Sequence, residues 1–301
     1  GAFFAPRLYK YFANDNFCII ADGNRKKRLE EQGVWINGEN YKFPIQTPKD
    51  SRNKMDLIII AVKDTGLEQA IKDIENFVGE KTQILCVMNG VESEEKVAAV
   101  YGWAHVLYSY MRISIEMKEG VANFNPDAGY VHFGEAKNTE ESNRVKAIKD
   151  CFNKCRIPYK IEEDMIKGLW VKFMCNVGEN LTCALLKVPF GAFRHSHHAN
   201  EIRRAAMREV IAIAQKKGID LGEEEYQKPE KYLPKIPFNN KPSTLQDLDN
   251  SRRTEVEMFA GAVIRMGEEL GIPTPINWIF YHGIKVHEER NEGMFSNQSL
   301  R

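Results

Sequence analysis

DLIIIAVK, residues 56–63, is a short apolar run that ends in a lysine. Such a run is typical of a strand that is buried in a parallel sheet. Two similar runs stand on either side of it, FCIIAD at 17–22 and QILCVMNG at 83–90. Helix-like segments separate the three runs, and strands that alternate with helices predict a parallel sheet with right-handed crossovers. The first half of the chain is therefore predicted to be an α/β domain.

Three polar residues, Asp22, Lys63 and Asn89, stand where these apolar runs stop. Ligands of parallel sheets bind beyond the carboxyl ends of the strands, so all three are candidates to face a shared ligand. Each of them is equally compatible with a solvated charge or a turn. The pattern alone leaves both interpretations open.

The remainder of this half has further strand-like segments. Residues 111–117, 121–124 and 129–135 combine strand character with glycine turns, and we expect them to extend the sheet with antiparallel strands. A helix over 139–154 and a strand near 157–162 complete the domain.

From residue 164 onward the pattern is helical almost throughout. We therefore predict an α/β domain over 1–163 and an all-α domain over 164–301. Within the second domain, amphipathic helices that end at glycine are predicted at 200–218 and over the long stretch 243–271. Residues 228–242 hold four prolines and are predicted to form a loop around a short turn.

GLWVKFMCNVGENLTC, residues 168–183, places three polar side chains four residues apart. On a regular helix Lys172, Asn176 and Asn180 would share one face, among apolar residues that are typical of packing. Polar groups in such surroundings are costly unless they meet polar partners. A substrate would supply partners, and so would a buried structural network.

The composition argues against several classes of partner. Lys plus Arg and Asp plus Glu both number 42, and this balance gives no support to nucleic-acid or polybasic membrane binding. No uncharged apolar run approaches the ~20 residues of a membrane helix. The six cysteines form no CxxC pair, which indicates buried thiols in a reducing compartment, the cytoplasm. HSHH at 195–198 lacks a carboxylate or cysteine at ligand spacing, so no metal site is predicted.

Ser243 and Gln246 form an S-x-x-Q capping box, which is a structural explanation for Ser243. Glu255 follows Ser243 by twelve residues, ~18 Å along a straight helix. One ligand could therefore not touch both residues unless the helix bends.

Five motifs in chain order carry a resemblance to a known family: AVK at 61–63, MNGVESEE at 88–95, GLWVKFMCNVGENLT at 168–182, PSTLQDLDNSRRTEVE at 242–257 and RMGEELGIPTPIN at 265–277. On these motifs the chain resembles the ketopantoate reductase (2-dehydropantoate 2-reductase) family over nearly its whole length. The resemblance implies a Rossmann-type domain followed by an all-α domain like the C-terminal domain of 6-phosphogluconate dehydrogenase. It also implies an active site in the cleft between them.

The resemblance further implies a role for each matching residue. Lys172 resembles the catalytic lysine and Glu255 the essential glutamate. Substrate-binding residues are implied at four positions, Asn176, Asn180, Asn240 and Ser243. Cofactor-binding residues are implied at five positions, Gly1, Asp22, Arg25, Lys63 and Asn89.

The implied reaction is the reduction of 2-dehydropantoate to D-pantoate with NADPH or NADH, a step of pantothenate and coenzyme A biosynthesis. Hydride reaches C2, and negative charge grows on the carbonyl oxygen. A lysine ammonium at that oxygen stabilises the charge and donates the proton. A glutamate beside the lysine can orient it and bind a substrate hydroxyl. A homodimer is a further expectation.

The chain departs from the family pattern at two places. Gly1 resembles the last glycine of the dinucleotide-binding motif, so we expect the first strand and the first two glycines to precede it; without that strand the sheet lacks its centre. Asp22 stands where NADPH-using members usually have an arginine, and an acid there favours the free ribose hydroxyl of NAD. Arg25, Lys26 and Lys27 could offset that preference.

Two alternatives remain. The first is an NAD-dependent D-2-hydroxyacid dehydrogenase of the same superfamily, which shares the catalytic residues and which Asp22 favours. The second is a nucleotide-binding regulatory protein that has lost turnover. The complete set of implied catalytic and substrate-binding residues argues against the second, because a sensor has no need of a proton donor.

Overall fold

The structure, a computed structural model, describes four stretches of the chain, residues 1–50, 54–113, 115–118 and 120–295. The chain divides into two compact units, which we call unit 1 (Gly1–Ile166) and unit 2 (Lys167–Arg301). Unit 1 is built from strands and helices, and unit 2 is helical. This confirms the predicted fold class.

Unit 1 alternates between short strands and helices. Its strands are β1 (Ile19–Ile20), β2 (Val34–Ile36), β3 (Glu39–Tyr41), β4 (Ile45–Gln46), β5 (Leu57–Ile60), β6 (Gln83–Cys86), β7 (Val106–Arg112), β8 (Glu116–Lys118), β9 (Val121–Asn123), β10 (Tyr130–Gly134) and β11 (Tyr159–Lys160). Its helices are α1 (Ala5–Asn16), α2 (Gly23–Gln32), α3 (Leu67–Asp73), α4 (Ser93–Tyr101) and α5 (Asn143–Lys154).

Five strands form the main sheet, in the order β11-β10-β7-β6-β5. β5, β6 and β7 run parallel, with Ile84 of β6 opposite Ile58 on one side and Val106 on the other. β10 is antiparallel to β7 and parallel to β11. The side chains of Ile58, Ile84 and Val106 are buried, as the apolar runs predict for strands of a parallel sheet.

The remaining strands form two further sheets. β1 pairs in parallel with β4, and β3, β2, β9 and β8 form a four-stranded sheet in that order. Among the described residues, no strand hydrogen-bonds to both β1 and β5. The predicted antiparallel extension of the main sheet is correct for β10 but wrong for β8 and β9, because β9 pairs with β2 instead.

A hairpin that was not predicted explains where β9 pairs. The turn between β2 and β3 is Asn37-Gly38, with φ of 50° and 84°, the left-handed values that a tight hairpin turn requires. The side-chain Oδ1 of Asn37 accepts the backbone N–H of Phe124 at 2.8 Å. The backbone N–H of Asn37 donates to the carbonyl of Ala122 at 2.9 Å. The turn thus anchors β9. The Asn-Gly dipeptide is the sequence signal that would have predicted the β2–β3 hairpin.

Aromatic side chains hold α1 and α5 against the main sheet. The Phe4 ring lies 6.2 Å from the Phe152 ring of α5, and the Phe133 ring of β10 lies 5.2 Å from Phe152. All three side chains are buried. Burial of such a side chain stabilises a fold by roughly 1.5–3 kcal/mol, so this cluster fixes both helices to the sheet that carries Lys63 and Asn89.

From Met165 onward the chain is helical. The helices are α6 (Met165–Cys175), α7 (Leu181–Leu186), α8 (His197–Lys216), α9 (Glu224–Tyr232), α10 (Ser243–Asp249), α11 (Ala262–Leu270) and α12 (Pro275–Asn291). Two five-residue π-helical turns interrupt them, which we call the first π-turn (Asn176–Asn180) and the second π-turn (Glu257–Gly261). In the part of the chain that the structure describes, no helix combines the length and apolarity needed to cross a bilayer.

The predicted single helix over 243–271 is wrong. α10 ends in a Schellman motif, in which the N–H of Ser251 donates to the carbonyl of Leu248 at 3.2 Å. The N–H of Arg252 donates to the carbonyl of Asp247 at 2.8 Å. Ser251 has φ 50°, a left-handed conformation that usually takes glycine, so no glycine marked this stop in the sequence.

The predicted loop over 228–242 is wrong at its beginning, because α9 continues to Tyr232 and includes Pro229. A proline inside a helix costs one backbone hydrogen bond. The buried side chains of Tyr226 and Leu233 lie on either side of it in the sequence. Tertiary packing can override a local preference of this kind.

Candidate active site

The first π-turn interrupts the helix that carries Lys172. A π-turn inserts an extra residue into a helical turn and is often found at functional sites. The prediction of one regular column of three polar side chains is therefore wrong beyond Asn176. The two asparagines nevertheless remain neighbours, because Nδ2 of Asn180 donates to Oδ1 of Asn176 at 3.4 Å.

The other faces of α6, the helix that carries Lys172, are packed in the core. Trp170, Phe173 and Met174 are buried, and the Trp170 and Phe173 rings lie 5.9 Å apart. Lys172 and Asn176 are half-buried. The polar side chains therefore stand at the margin of an apolar core, as the sequence pattern predicts.

Glu255 lies in the irregular stretch that leads into the second π-turn. Its carbonyl accepts the N–H groups of Met258 and Phe259 at 3.1 and 3.2 Å, and its side chain is half-buried. The Phe259 ring lies 6.3 Å from the ring of Phe173, the residue after Lys172, and the two π-turns contact each other. Within unit 2, the structure thus brings the Glu255 segment beside the Lys172 helix.

Ser243 does not form the predicted capping box. α10 begins at Ser243 itself, and no side chain caps it. The carbonyl of Pro242 is the first helical acceptor, for the N–H of Gln246 at 3.0 Å. Nε2 of Gln246 donates to the carbonyl of Lys241 at 2.7 Å. The helix therefore begins one residue earlier than a capping box with Ser243 as the N-cap would require. The exposed Ser243 side chain does not cap α10.

The segment before α10 is fixed by the short 3₁₀ helix Phe190–Arg194. The N–H of Phe190 donates to the carbonyl of Asn240, and the N–H of Gly191 to that of Phe238, each at 2.9 Å. Gly191 is needed here, because a Cβ would overlap the Phe238 ring. The exposed Asn240 therefore stands on a backbone that is held in place, and α10 itself contacts α7 and the first π-turn.

A buried ion pair under the first π-turn was not predicted. Oε1 of Glu179 lies 3.5 Å from Nη1 of Arg203 on α8, and the side chains of Glu179 and Arg203 are only 5% and 1% exposed. The Tyr232 hydroxyl donates to Oε2 of Glu179 at 3.2 Å. Glu179 thus ties the turn between Asn176 and Asn180 to the end of α9. A glutamate in a helical run that is otherwise free of acidic residues, GLWVKFMCNVGENLTC, was the signal for it in the sequence.

Two observations describe the surroundings of this pair. A Cβ at Gly178 would lie 2.6 Å from Cγ of Met207 and 3.0 Å from the carbonyl oxygen of Arg203, so glycine allows the π-turn to approach α8. Burial and the Glu179 carboxylate raise the pKa of Cys183 to about 12. Cys183 is therefore a thiol at neutral pH and unsuited to nucleophilic chemistry.

In unit 1 three of the five predicted cofactor residues, Asp22, Lys63 and Asn89, follow the ends of strands. Lys63 and Asn89 come after β5 and β6, which are adjacent and parallel, with Ile60 opposite Cys86. They therefore leave the same edge of the main sheet. Asp22 follows β1, which belongs to the separate two-stranded sheet, so backbone pairing does not join Asp22 to that edge.

Asp22 also has a structural role, which the sequence interpretation missed. It caps α2, with Oδ1 accepting the N–H of Gly23 at 2.7 Å. Asp22 and Arg25 are exposed, and Nζ of Lys26 lies 3.7 Å from Oε1 of Glu30. Lys26 is thus directed along α2, whereas Arg25 remains solvent-accessible in the first turn of α2.

These residues fit a dinucleotide. The exposed Asp22 carboxylate follows a strand, where it can accept hydrogen bonds from ribose hydroxyls. The carbonyl of Gly1 accepts the N–H groups of Phe4 and Ala5, each at 3.0 Å, so Gly1 leads directly into the start of α1. Asp22, Arg25, Lys63 and Asn89 together offer one carboxylate, two cations and one amide.

Comparisons with known proteins agree over both units. The family model "Ketopantoate reductase PanE/ApbA" matches residues 1–138, and "Ketopantoate reductase PanE/ApbA C terminal" matches residues 164–288. The 2-dehydropantoate 2-reductase of Streptococcus pyogenes serotype M6 is 27% identical over 273 residues, 89% of this chain and 89% of that one.

Two solved structures share the fold. A D-mandelate dehydrogenase with NADH and anilino(oxo)acetate has a TM-score of 0.81 at 21% identity, over 96% of this chain and 95% of that one. A dimeric ketopantoate reductase from Staphylococcus aureus has a TM-score of 0.78 at 19% identity, over 97% and 96%. As predicted from its sequence, this chain belongs to the ketopantoate reductase family and is an oxidoreductase of that family with NADPH or NADH as its cofactor.

Proposed function

We propose that this protein reduces 2-dehydropantoate to D-pantoate, a step of pantothenate and coenzyme A biosynthesis. The observation that carries the proposal is the arrangement within unit 2, where the helix of Lys172 and the segment of Glu255 meet through the Phe173–Phe259 contact. The curated relative from S. pyogenes, named for this reaction, supports the choice of substrate.

Lys172 is the proton donor in this proposal. Its ammonium donates a hydrogen bond to the C2 oxygen of the keto acid and transfers a proton to it as negative charge develops there. When bound, the reduced nicotinamide supplies the hydride to C2. Because Lys172 is half-buried, its attraction to a developing anion is stronger than it would be in bulk water.

The asparagines and Ser243 orient the substrate. The amides of Asn176 and Asn180 bind hydroxyl and carbonyl groups without adding charge. Their mutual contact of 3.4 Å is long for a hydrogen bond, so a substrate can replace it at little cost. The exposed Ser243 hydroxyl and the Asn240 amide bind the substrate carboxylate, and Glu255 binds a substrate hydroxyl and orients Lys172.

The proposal is tested with a panel of 2-keto acids and both reduced cofactors. We expect 2-dehydropantoate to give the highest kcat/KM of the panel. Turnover with no member of the panel would contradict an oxidoreductase of 2-keto acids. A much higher kcat/KM for an aryl or unbranched keto acid would replace the proposed substrate.

Asp22 favours one alternative, an NAD-dependent D-2-hydroxyacid dehydrogenase. In this alternative the Asp22 carboxylate repels a 2′-phosphate, and a D-mandelate dehydrogenase with bound NADH has the same fold. Oxidation of D-mandelate and related D-2-hydroxy acids with NAD would separate the two reactions. A regulatory protein without turnover has no comparable support.

Glu255→Gln is expected to lower kcat/KM for the keto acid by roughly 10-fold or more, because the amide keeps the shape but loses the charge that orients the lysine. Cofactor affinity should stay nearly unchanged. The measurement is steady-state kinetics with a fluorescence titration of the cofactor. Glu257→Gln is the matched control, since Glu257 is exposed on the second π-turn and pairs with Arg265 and Tyr281. Lost cofactor binding with intact keto-acid turnover would refute this role of Glu255.

Asp22→Arg is expected to shift the cofactor preference toward NADPH. A like-charge contact at about 4 Å costs roughly 1–4 kcal/mol, and the arginine replaces it with attraction. For the unchanged protein, we expect NADH to be used at least as well as NADPH. Asp22→Asn is the matched control, because it removes the charge and keeps the capping oxygen of α2. An NADPH preference above ~100-fold in kcat/KM before any substitution would show that the basic residues of α2 govern the site.

Two further properties belong to the proposal. The six cysteines, all within the described residues, form no disulfide, which supports a reducing compartment and thus the cytoplasm. The S. aureus relative is described as dimeric, and we expect a homodimer here. Sedimentation at several protein concentrations tests that expectation.

A further inference from the structure

We propose that Glu288, on the last helix α12, is the positioning residue for Glu255; this inference rests on the proposed function. Oε1 of Glu288 accepts two hydrogen bonds from Thr254, one from its backbone N–H and one from its hydroxyl, each at 2.7 Å. Glu288 is only 7% exposed. Thr254 immediately precedes Glu255, so the buried carboxylate of Glu288 on α12 fixes the backbone next to the proposed catalytic glutamate.

The Glu255 segment needs such an anchor because it is not helical. Between α10 and the second π-turn, the backbone has no regular ladder of hydrogen bonds to hold it. The Thr254 hydroxyl, which donates to Glu288, also accepts the N–H of Val256 at 3.2 Å. The amides on both sides of Glu255 are therefore held by one network that ends at Glu288.

The charge of Glu288 strengthens this network. Burial acts to raise the pKa of its carboxyl group, but the hydrogen bonds from Thr254 and the Lys285 ammonium outweigh burial and lower it. Nζ of Lys285 lies 3.2 Å from Oε2. Glu288 is thus an anion at neutral pH, and hydrogen bonds to an ionised acceptor are roughly twice as strong as neutral ones.

A matched control exists on α8, where a second buried glutamate holds the other end of α12. Glu209 is 9% exposed, and its carboxylate accepts the backbone N–H groups of Ile276 and Asn277 at 2.8 and 3.0 Å. It also accepts the side-chain amide of Asn277 at 2.7 Å. Glu209 therefore does for the first turn of α12 what Glu288 does for Thr254, and these hydrogen bonds go to α12 and not to the Glu255 segment.

The test is a double-mutant cycle on the full chain. Glu288→Ala and Glu209→Ala are each made alone and together with Glu255→Gln, and kcat/KM for the keto acid is measured per folded molecule. We expect Glu288→Ala alone to lower kcat/KM by about 10-fold or more, since a misplacement of about 1 Å can cost about 10²-fold. In the Glu255→Gln background the further loss should be below about 3-fold, because Glu288 acts through Glu255. Glu209→Ala should leave kcat/KM close to that of the unchanged protein.

Two conservative changes guard against loss of folding. Glu288→Gln keeps an acceptor for Thr254 and should retain much of the activity, and Thr254→Ser keeps both donors. Thr254→Val removes the hydroxyl and should reproduce part of the Glu288→Ala loss. Equal losses for Glu288 and Glu209 variants, or a Glu288 loss that is fully additive with Glu255→Gln, would overturn the proposal.

A second readout separates this inference from the proposed function. Amide hydrogen exchange in a peptide spanning residues 252–258 should quicken in Glu288→Ala and not in Glu209→Ala. If the unchanged protein turns over no keto acid and this exchange still quickens, the proposed function fails and the anchoring of the segment stands. If the protein is active and the exchange is unchanged, the positioning role is refuted.

Discussion

Lys172→Ala is expected to lower kcat for keto-acid reduction by roughly 10²-fold or more, the scale of a lost general acid. The physical reason is that the C2 oxygen would develop its negative charge without the ammonium that stabilises and protonates it. Because the remaining faces of α6 pack through Trp170, Phe173 and Met174, the alanine variant should still fold. The loss should appear in kcat more than in cofactor affinity.

The measurement is steady-state kinetics of folded, purified variants with circular dichroism as a check on folding. Lys167→Ala is the matched control on the same helix. Lys167 pairs with the exposed Asp220 and the buried Glu225, with Nζ 3.0 and 3.2 Å from their carboxylate oxygens. Its loss removes a lysine from the same helix together with two ion pairs. Near-normal kcat in Lys172→Ala, or an equal loss in both variants, would remove Lys172 from the chemistry.

Glu179→Leu is expected to lower the free energy of unfolding by roughly 3–5 kcal/mol, the range for breaking a buried ion pair. The substitution takes from Arg203 a carboxylate 3.5 Å away, and from the Tyr232 hydroxyl an acceptor at 3.2 Å. The double variant Glu179→Leu with Arg203→Met should be more stable than Glu179→Leu alone, because no charge then remains buried.

Denaturant unfolding followed by tryptophan fluorescence reports this change, since two of the four tryptophans, Trp170 and Trp278, lie in unit 2. Glu292→Ala is the control, because its pair with Arg253 is solvent-exposed and such pairs contribute about 0–1 kcal/mol. A loss below about 1 kcal/mol in Glu179→Leu would show that the pair contributes as little as a surface one. A double variant less stable than Glu179→Leu would contradict the desolvation argument.

The elements predicted correctly from the sequence are those whose signal is local. The apolar runs of β5 and β6 and the periodicity of α8 can be recognised without knowledge of the packing partner, because the order of the residues shows which face is buried. The motifs of the family extend over both units, and the family models confirm the resemblance. The roles of the individual site residues stay predictions.

Errors arose where a distant contact decides a local conformation. β9 pairs with β2 because the Asn37 turn binds the backbone of Phe124, 87 residues away. α10 stops at a serine in a left-handed conformation, where its C-terminal carbonyls also find a partner: Nδ2 of Asn291 donates to the carbonyl of Leu248 at 2.7 Å. Neither of these hydrogen bonds can be predicted from side-chain periodicity.

For this protein, the sequence by itself determined the α/β-then-helical order, the family and which side chains are candidates for the chemistry. Only the tertiary structure decided how those side chains are held. The buried Glu179–Arg203 pair and the Glu288–Thr254 anchor depend on residues 24 and 34 positions apart meeting in space. The physical reason is that helix and strand patterns record which face is buried, whereas hydrogen bonds to a buried carboxylate depend on which helices pack around it.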